Sequence, residues 1–182
     1  MRLFGLIGYP LGHSFSVPYF KRKFADEEID AEYRNFPLEQ ISDFEDLVKR
    51  EPKLVGLNVT VPYKQKIIPY LDALNPTARS IGAVNTIFFC RKEGRLSLLG
   101  YNSDVHGFER SLKEHLKEEH KQALVLGSGG SSKAVMHVLA AMGISFQIVS
   151  RKRGEGFFSY DQLDREIMDA HTLIFIMTAL GM

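Results

Sequence analysis

Cysteine occurs once in these 182 residues, so no internal disulfide can form, and the usage fits a reducing cytoplasm. That residue, Cys90, stands in the run TIFFC, where it reads as a small buried side chain rather than a nucleophile. An excess of one charge is also missing: 23 Lys and Arg stand against 22 Asp and Glu, a formal net charge of +1. With no concentrated basic face, a nucleic-acid partner is disfavoured and small-molecule chemistry favoured. No long apolar run survives uninterrupted. The start, MRLFGLIGYPLGHSF, is broken by Gly5, Gly8, Pro10 and Gly12 and is followed by no A-x-A-type cleavage site, so it reads as strand plus loop rather than a secretion signal. Residues 134–150 include His137, Gly143 and Gln147 and change midway from a helical to an extended period, so no membrane span is expected. Internal repeats and low-complexity tracts are absent as well.

What remains is an alternation of short strands and amphipathic helices. The pattern gives strand RLFGLIG, a helix from about Val17 to Ala25, strand EYRNFPL, helix ISDFEDLVKR and strand LVGLNVT. A short helical segment is expected around Tyr63 to Asp72. TIFFC and RLSLLGY then flank Lys92-Glu93-Gly94 as a β-hairpin, making the sheet mixed. From Ser103 to about His120, Val105, Phe108, Leu112 and Leu116 line one face of a connecting helix. Beyond it, QALVLGSGGSSKAVMHVLAAMGISFQIVSRKR reads as a βαβ unit. The fold class is therefore α/β: a mixed-sheet first domain over residues 1–102, a connecting helix over 103–120, and a Rossmann-like domain over 121–182.

Two stretches suggest chemistry. Gly127-Ser128-Gly129-Gly130-Ser131-Ser132 follows a strand and opens a helix, where glycines admit a pyrophosphate to backbone N–H groups and the helix N-terminus favours the anion. Ser132 replaces the third glycine of that fingerprint, which predicts slightly looser strand–helix packing. After the second strand an acidic residue usually holds a ribose hydroxyl; here Arg151 and Lys152 stand instead, and a guanidinium suits a 2′-phosphate, favouring NADP over NAD. The other reading of each feature is an ordinary turn and a solvated charge cluster.

In GLNVTVPYK, residues 56–64, Leu57, Val59 and Val61 are set to face a core while Asn58 and Thr60 point together the other way. Pro62 suits a first helical turn, placing Lys64 at the unfavourable end of a macrodipole at a cost of about 0.3–1 kcal/mol. A lysine so placed serves as general acid or base where a cleft desolvates it, and is otherwise merely solvated. Ser103 as N-cap with Asp104 in the first turn needs no catalytic explanation, and the same holds for Ser16 as N-cap with Ser14 a loop polar residue.

Taken together, HSFS, NVTVPYK, GAVNT, GYNSD and GSGGSS, in that order and spacing, resemble the shikimate dehydrogenase family. The resemblance implies that Ser14, Ser16, Asn58, Thr60, Lys64, Asn85 and Asp104 bind shikimate, that Lys64 and Asp104 form the catalytic pair, and that the glycine turn with Arg151 and Lys152 binds NADP. It implies NADPH-dependent reduction of 3-dehydroshikimate, a cytoplasmic step in chorismate and aromatic amino acid biosynthesis. The sequence departs from the family's pattern at Val17, Ser103, Ser150 and Lys152. It departs more at its end, where N-T-T-P-x-G-M becomes Ile176-Met177-Thr178-Ala179-Leu180-Gly181-Met182. Family members continue further, so the second domain is expected to be incomplete and HTLIFIMTALGM to leave an open edge that admits a second copy, a homodimer. A shikimate-binding module without turnover, a quinate-using relative and a purely structural domain are the competing readings.

Overall fold

The computed structural model describes residues 1–12, 14–151 and 156–177, which divide into two units, Met1–Asn102 and Ser103–Met182. In the first unit, elements follow in the order β1 (Arg2–Gly8), α1 (Ser16–Asp26), β2 (Ala31–Pro37), α2 (Phe44–Arg50), β3 (Leu54–Val59), β4 (Ala73–Leu74), α3 (Pro76–Ile81), β5 (Thr86–Lys92) and β6 (Arg95–Tyr101). They form a six-stranded sheet of order β2-β1-β3-β5-β6-β4. Strands β2, β1 and β3 run parallel, and β5 and β6 pair antiparallel as a hairpin, so the sheet is mixed. Glu93 and Gly94 both take positive φ, 50° and 75°, the turn geometry whose twist matches the flanking strands.

Alternation along the strands decides which face is dry. Ile7, Leu57, Val59, Ile87 and Phe89 point to one face and are 3 % exposed or less; with Phe44 and Leu47 from α2 they form the core. Burying each such side chain contributes about 1.5–3 kcal/mol. On the other face, Phe20 and Phe24 of α1 meet Tyr33 and Phe4. Asn58 belongs to this second face: it is paired with Leu6, two residues along β1 from Phe4.

Three expectations are corrected here. Val61 is 49 % exposed and outside the core, because β3 ends at Val59 and the alternation ends with it. Residues 63–72 do not form one helix: a succession of turns leads into a single 3-10 turn, Ile68–Tyr70. Pro62 therefore opens no α-helix, and the macrodipole argument for Lys64 falls away. Cys90 is only half-buried, because it alternates with core residues Ile87 and Phe89 and faces the second side of the sheet.

The second unit contains α4 (Asp104–His115), β7 (Gln122–Leu126), α5 (Gly130–Ala141), β8 (Ser145–Val149), β9 (Phe157–Phe158), α6 (Arg165–Ala170) and β10 (Leu173–Ile176). Its parallel sheet has the order β10-β7-β8-β9. Helix α4 buries Val105 and Leu112 and sets Phe108 edge-on to Phe175 at 5.2 Å. It ends at His115, five residues before the expected end, because Leu116 turns extended (φ −69°, ψ 141°). Strand β10 is an edge among the described residues, with Ile174 and Ile176 43 % and 57 % exposed.

Candidate active site

In the first unit the chain leaves β1 for β2 on one side and returns to β3 on the other. Such a reversal opens a crevice at the carboxyl ends of the parallel strands, where ligands of α/β proteins bind. Ser14 and Ser16 follow β1, Asn58 is the last residue but one of β3, Thr60 and Lys64 follow that strand, and Asn85 immediately precedes β5. The backbone ties these segments together. Thr60 N–H donates to Ile7 O at 2.9 Å, Tyr9 N–H to Val61 O at 3.1 Å, Val59 N–H to Asn85 O at 2.8 Å and Val84 N–H to Lys64 O at 2.7 Å. Gly8 allows the approach: a Cβ there would stand 2.5 Å from Thr60 Cγ2 and 3.0 Å from Val61 O.

Lys64 is half-buried, and its neighbour anchors it. Tyr63 is 3 % exposed and donates its hydroxyl to Leu38 O at 2.5 Å, which lets a polar-tipped ring sit in the core. Burial raises the Tyr63 phenol pKa.

Asn58 sits at the centre of a side-chain network. Its Oδ1 accepts from the Tyr33 hydroxyl at 2.8 Å, and its Nδ2 reaches Asn85 O at 3.4 Å and Thr86 Oγ1 at 3.5 Å. Thr86 in turn donates to Asn85 Oδ1 at 3.0 Å. Tyr33 and Thr86 were not singled out from sequence. Their signal was a polar-tipped aromatic in alternation on β2 and a threonine beside Asn85 at the start of β5. Desolvation pushes the Tyr33 phenol up to about 12, with a hydrogen bond from Ser16 acting the other way. On the same strand Asn35 buries its Oδ1 without a hydrogen-bond partner among the described residues.

The capping expectations divide. Phe15, not Ser16, precedes α1, and Ser14 Oγ accepts the Ser16 N–H at 3.3 Å. Ser14 is the hydroxyl that serves the helix start. Ser103 does stand at the cap position of α4, but in helical geometry (φ −88°, ψ −12°) with no side-chain cap, while Asp104 occupies the first turn. Asp104 belongs to the second unit and the other candidates for the ring acid to the first.

A groove of about 670 Å³ on the second face of the first sheet is lined by Phe4, Gly56, Phe88 and Cys90 and touches the polar cluster only through Asn58 and Thr86. Although Arg2, Arg91 and Lys92 also line it, its mainly apolar walls offer few of the neutral donors and acceptors a polyhydroxylated acid needs, and the crevice above β1 and β3 is the better candidate.

In the second unit the glycine turn links the end of β7 to α5. Gly127 has φ 128°, a conformation side chains rarely adopt, and its N–H donates to Val149 O at 2.8 Å. Gly129 has nothing within 4 Å of where a Cβ would be, so the surrounding protein leaves space over this backbone. Ser128 and Ser150 hydroxyls meet at 3.0 Å, joining the turn to the end of β8. Ser132 is fully buried and donates to Gly129 O at 2.6 Å, so its hydroxyl is used within the turn. Gly130 and Ser131 form the first turn of α5, and Arg151 is exposed just past β8. Lys152 lies outside the described residues. Open backbone at a helix start, beside an exposed guanidinium, fits a phosphorylated dinucleotide.

The family model for the shikimate dehydrogenase substrate binding domain matches residues 6–87. The crystal structure of shikimate dehydrogenase 1 from Peptoclostridium difficile is 36 % identical, with a TM-score of 0.83, and the match covers all of this chain and 68 % of that one. The chain belongs to the shikimate dehydrogenase family. Shikimate dehydrogenase (NADP(+)) of Oleidesulfovibrio alaskensis is 40 % identical over 156 residues, 85 % of this chain and 54 % of that protein. The chain thus spans about half the length of the curated shikimate dehydrogenases it matches. A Thermus thermophilus shikimate 5-dehydrogenase, solved in complex with NADP(H) and shikimate, has a TM-score of 0.81 at 26 % identity and covers 98 % of this chain and 69 % of its own. Among the described residues no helix is long and apolar enough to cross a membrane.

Proposed function

We propose that the protein binds shikimate in its first unit and NADP in its second, and reversibly reduces 3-dehydroshikimate to shikimate. The observation that carries this reading is the convergence of Ser14, Ser16, Asn58, Thr60, Lys64 and Asn85 on the carboxyl ends of β1 and β3. A ring acid with several hydroxyls needs fixed donors and acceptors of this kind, and a site built around them discriminates strongly against analogues that lack them.

Gly127, Ser128, Gly129, Gly130 and Ser131 would hold the pyrophosphate through backbone N–H groups, and Arg151, with Lys152, the 2′-phosphate. When bound, NADPH supplies the hydride that reduces the 3-keto carbon. Lys64 gives a proton to the ketone oxygen, and Asp104, a carboxylate, would accept hydrogen bonds from the Lys64 ammonium and from the hydroxyl so formed. In the reverse direction Lys64 takes that proton back.

Absorbance at 340 nm with shikimate and NADP tests this. Turnover is expected, with Lys64→Ala slowing it about 10²- to 10⁴-fold. Shikimate affinity without turnover would instead leave a binding module, and neither binding nor turnover would overturn the reading. Rates with quinate alongside shikimate decide which acid is preferred.

A further inference from the structure

Tyr33 lies on β2, and its ring reaches across β1 to the network centred on Asn58. The ring is held firmly. It is 7 % exposed and stacks on Phe20 of α1 with centroids 4.4 Å apart and 13° between the planes. Its oxygen gives its proton to Asn58 Oδ1 at 2.8 Å. One buried hydroxyl therefore ties β2 to β3 across β1.

An asparagine amide can turn half a revolution, exchanging donor for acceptor at little steric cost. At Asn58 the two orientations differ in what they offer a ligand, and unaided they lie close in energy. The Asn85 carbonyl, an acceptor only, draws Nδ2 weakly at 3.4 Å, and the phenol donating to Oδ1 at 2.8 Å strengthens that orientation, with Nδ2 also 3.5 Å from Thr86 Oγ1.

We infer that Tyr33 is a positioning residue whose phenol holds the donor–acceptor sense of Asn58, and thereby selects ring hydroxyls that present the complementary sense. The inference rests on the reading of Asn58 as a contact to a ring acid. Tyr33 itself acts through it.

The test uses Tyr33→Phe, which keeps the stacked ring and removes only the hydroxyl. Without ligand, NMR of the Asn58 side-chain amide is expected to show a shifted, faster-rotating NH2 group in the variant. Ser16→Ala, which leaves Tyr33 in place, moves the same resonances less and covers the case of a poorly folding Tyr33→Phe. By calorimetry the variant is expected to bind shikimate about 5- to 30-fold more weakly, while cyclohexene carboxylate, the ring acid without hydroxyls, changes less than about twofold. In an Asn58→Ala background Tyr33→Phe adds less than about twofold, since the effect passes through Asn58. An unchanged amide in both variants, equal weakening of both acids, or full additivity with Asn58→Ala overturns the inference. Absence of shikimate binding in the unmodified chain sinks the ring-acid reading instead, and the amide resonances still decide whether Tyr33 positions Asn58.

Discussion

Tyr63→Phe is the sharpest structural perturbation available, because it removes one oxygen from a core residue and nothing else. Tyr63 is 3 % exposed, packs among Leu38, Val59, Ile67 and Val84 in the core cluster, and gives its hydroxyl to Leu38 O at 2.5 Å. Phenylalanine keeps the ring contacts. It deprives a buried carbonyl of this donor, which costs about 1–3 kcal/mol. With a urea slope of about 1–3 kcal/mol per molar, a loss of about 2 kcal/mol lowers the midpoint by about 1 M. Circular dichroism during urea titration measures it, with Tyr63→Ala as the larger reference at about 3–5 kcal/mol through loss of the ring. The amides of Lys64 and Gln65 should shift in the same variant, since Tyr63 anchors the turn that carries them. A Tyr63→Phe midpoint indistinguishable from the unmodified chain would refute the claim that this hydrogen bond holds the turn.

Alkaline pH should destabilise the first unit. The phenols of Tyr33, at about 12, and Tyr63 are raised above the ordinary value of 10.0, so the unfolded state ionises first. Stability is full below pH 10 and falls as pH climbs toward 12, by about 2–3 kcal/mol for Tyr33, and a 295 nm titration should show two late-ionising tyrosines of the seven. Gly129→Ala should leave the melting temperature unchanged, because its φ of −80° suits any residue and nothing crowds the new methyl. It should weaken NADP binding at least about tenfold by obstructing close backbone approach; equal affinity in calorimetry would remove the glycine turn from the cofactor site. Arg151→Ala should weaken NADP about 10- to 100-fold while sparing NAD, and a parallel loss for both would show that Arg151 does not read the 2′-phosphate.

Much of this architecture is visible in local pattern. The alternation of Leu57, Asn58 and Val59 places β3 and its polar face, and the hairpin turn is signalled by Gly94, which suits positive φ, while Glu93 beside it takes φ 50° without such a signal. The βαβ unit around Gly127 follows from a change of hydrophobic period. Where local pattern misleads, a non-local bond explains it. The segment after Pro62 carries helix-compatible residues, yet Tyr63 is drawn to Leu38 O and Lys64 O to Val84 N–H, and these tertiary bonds hold it as turns. Ser14 and Ser16 both precede the same apolar stripe, so the local pattern does not tell which hydroxyl serves the helix start. Tyr33 was missed because its partner, Asn58, is 25 residues away, beyond any local signal.

Chemical-shift mapping with shikimate decides whether the carboxyl ends of β1 and β3 form the ring-acid site. Saturable shifts are expected to concentrate at Ser14, Ser16, Asn58, Thr60, Lys64 and Asn85. Shifts gathered instead around Phe4, Phe88 and Cys90 in the apolar groove, or none at millimolar shikimate, would contradict it.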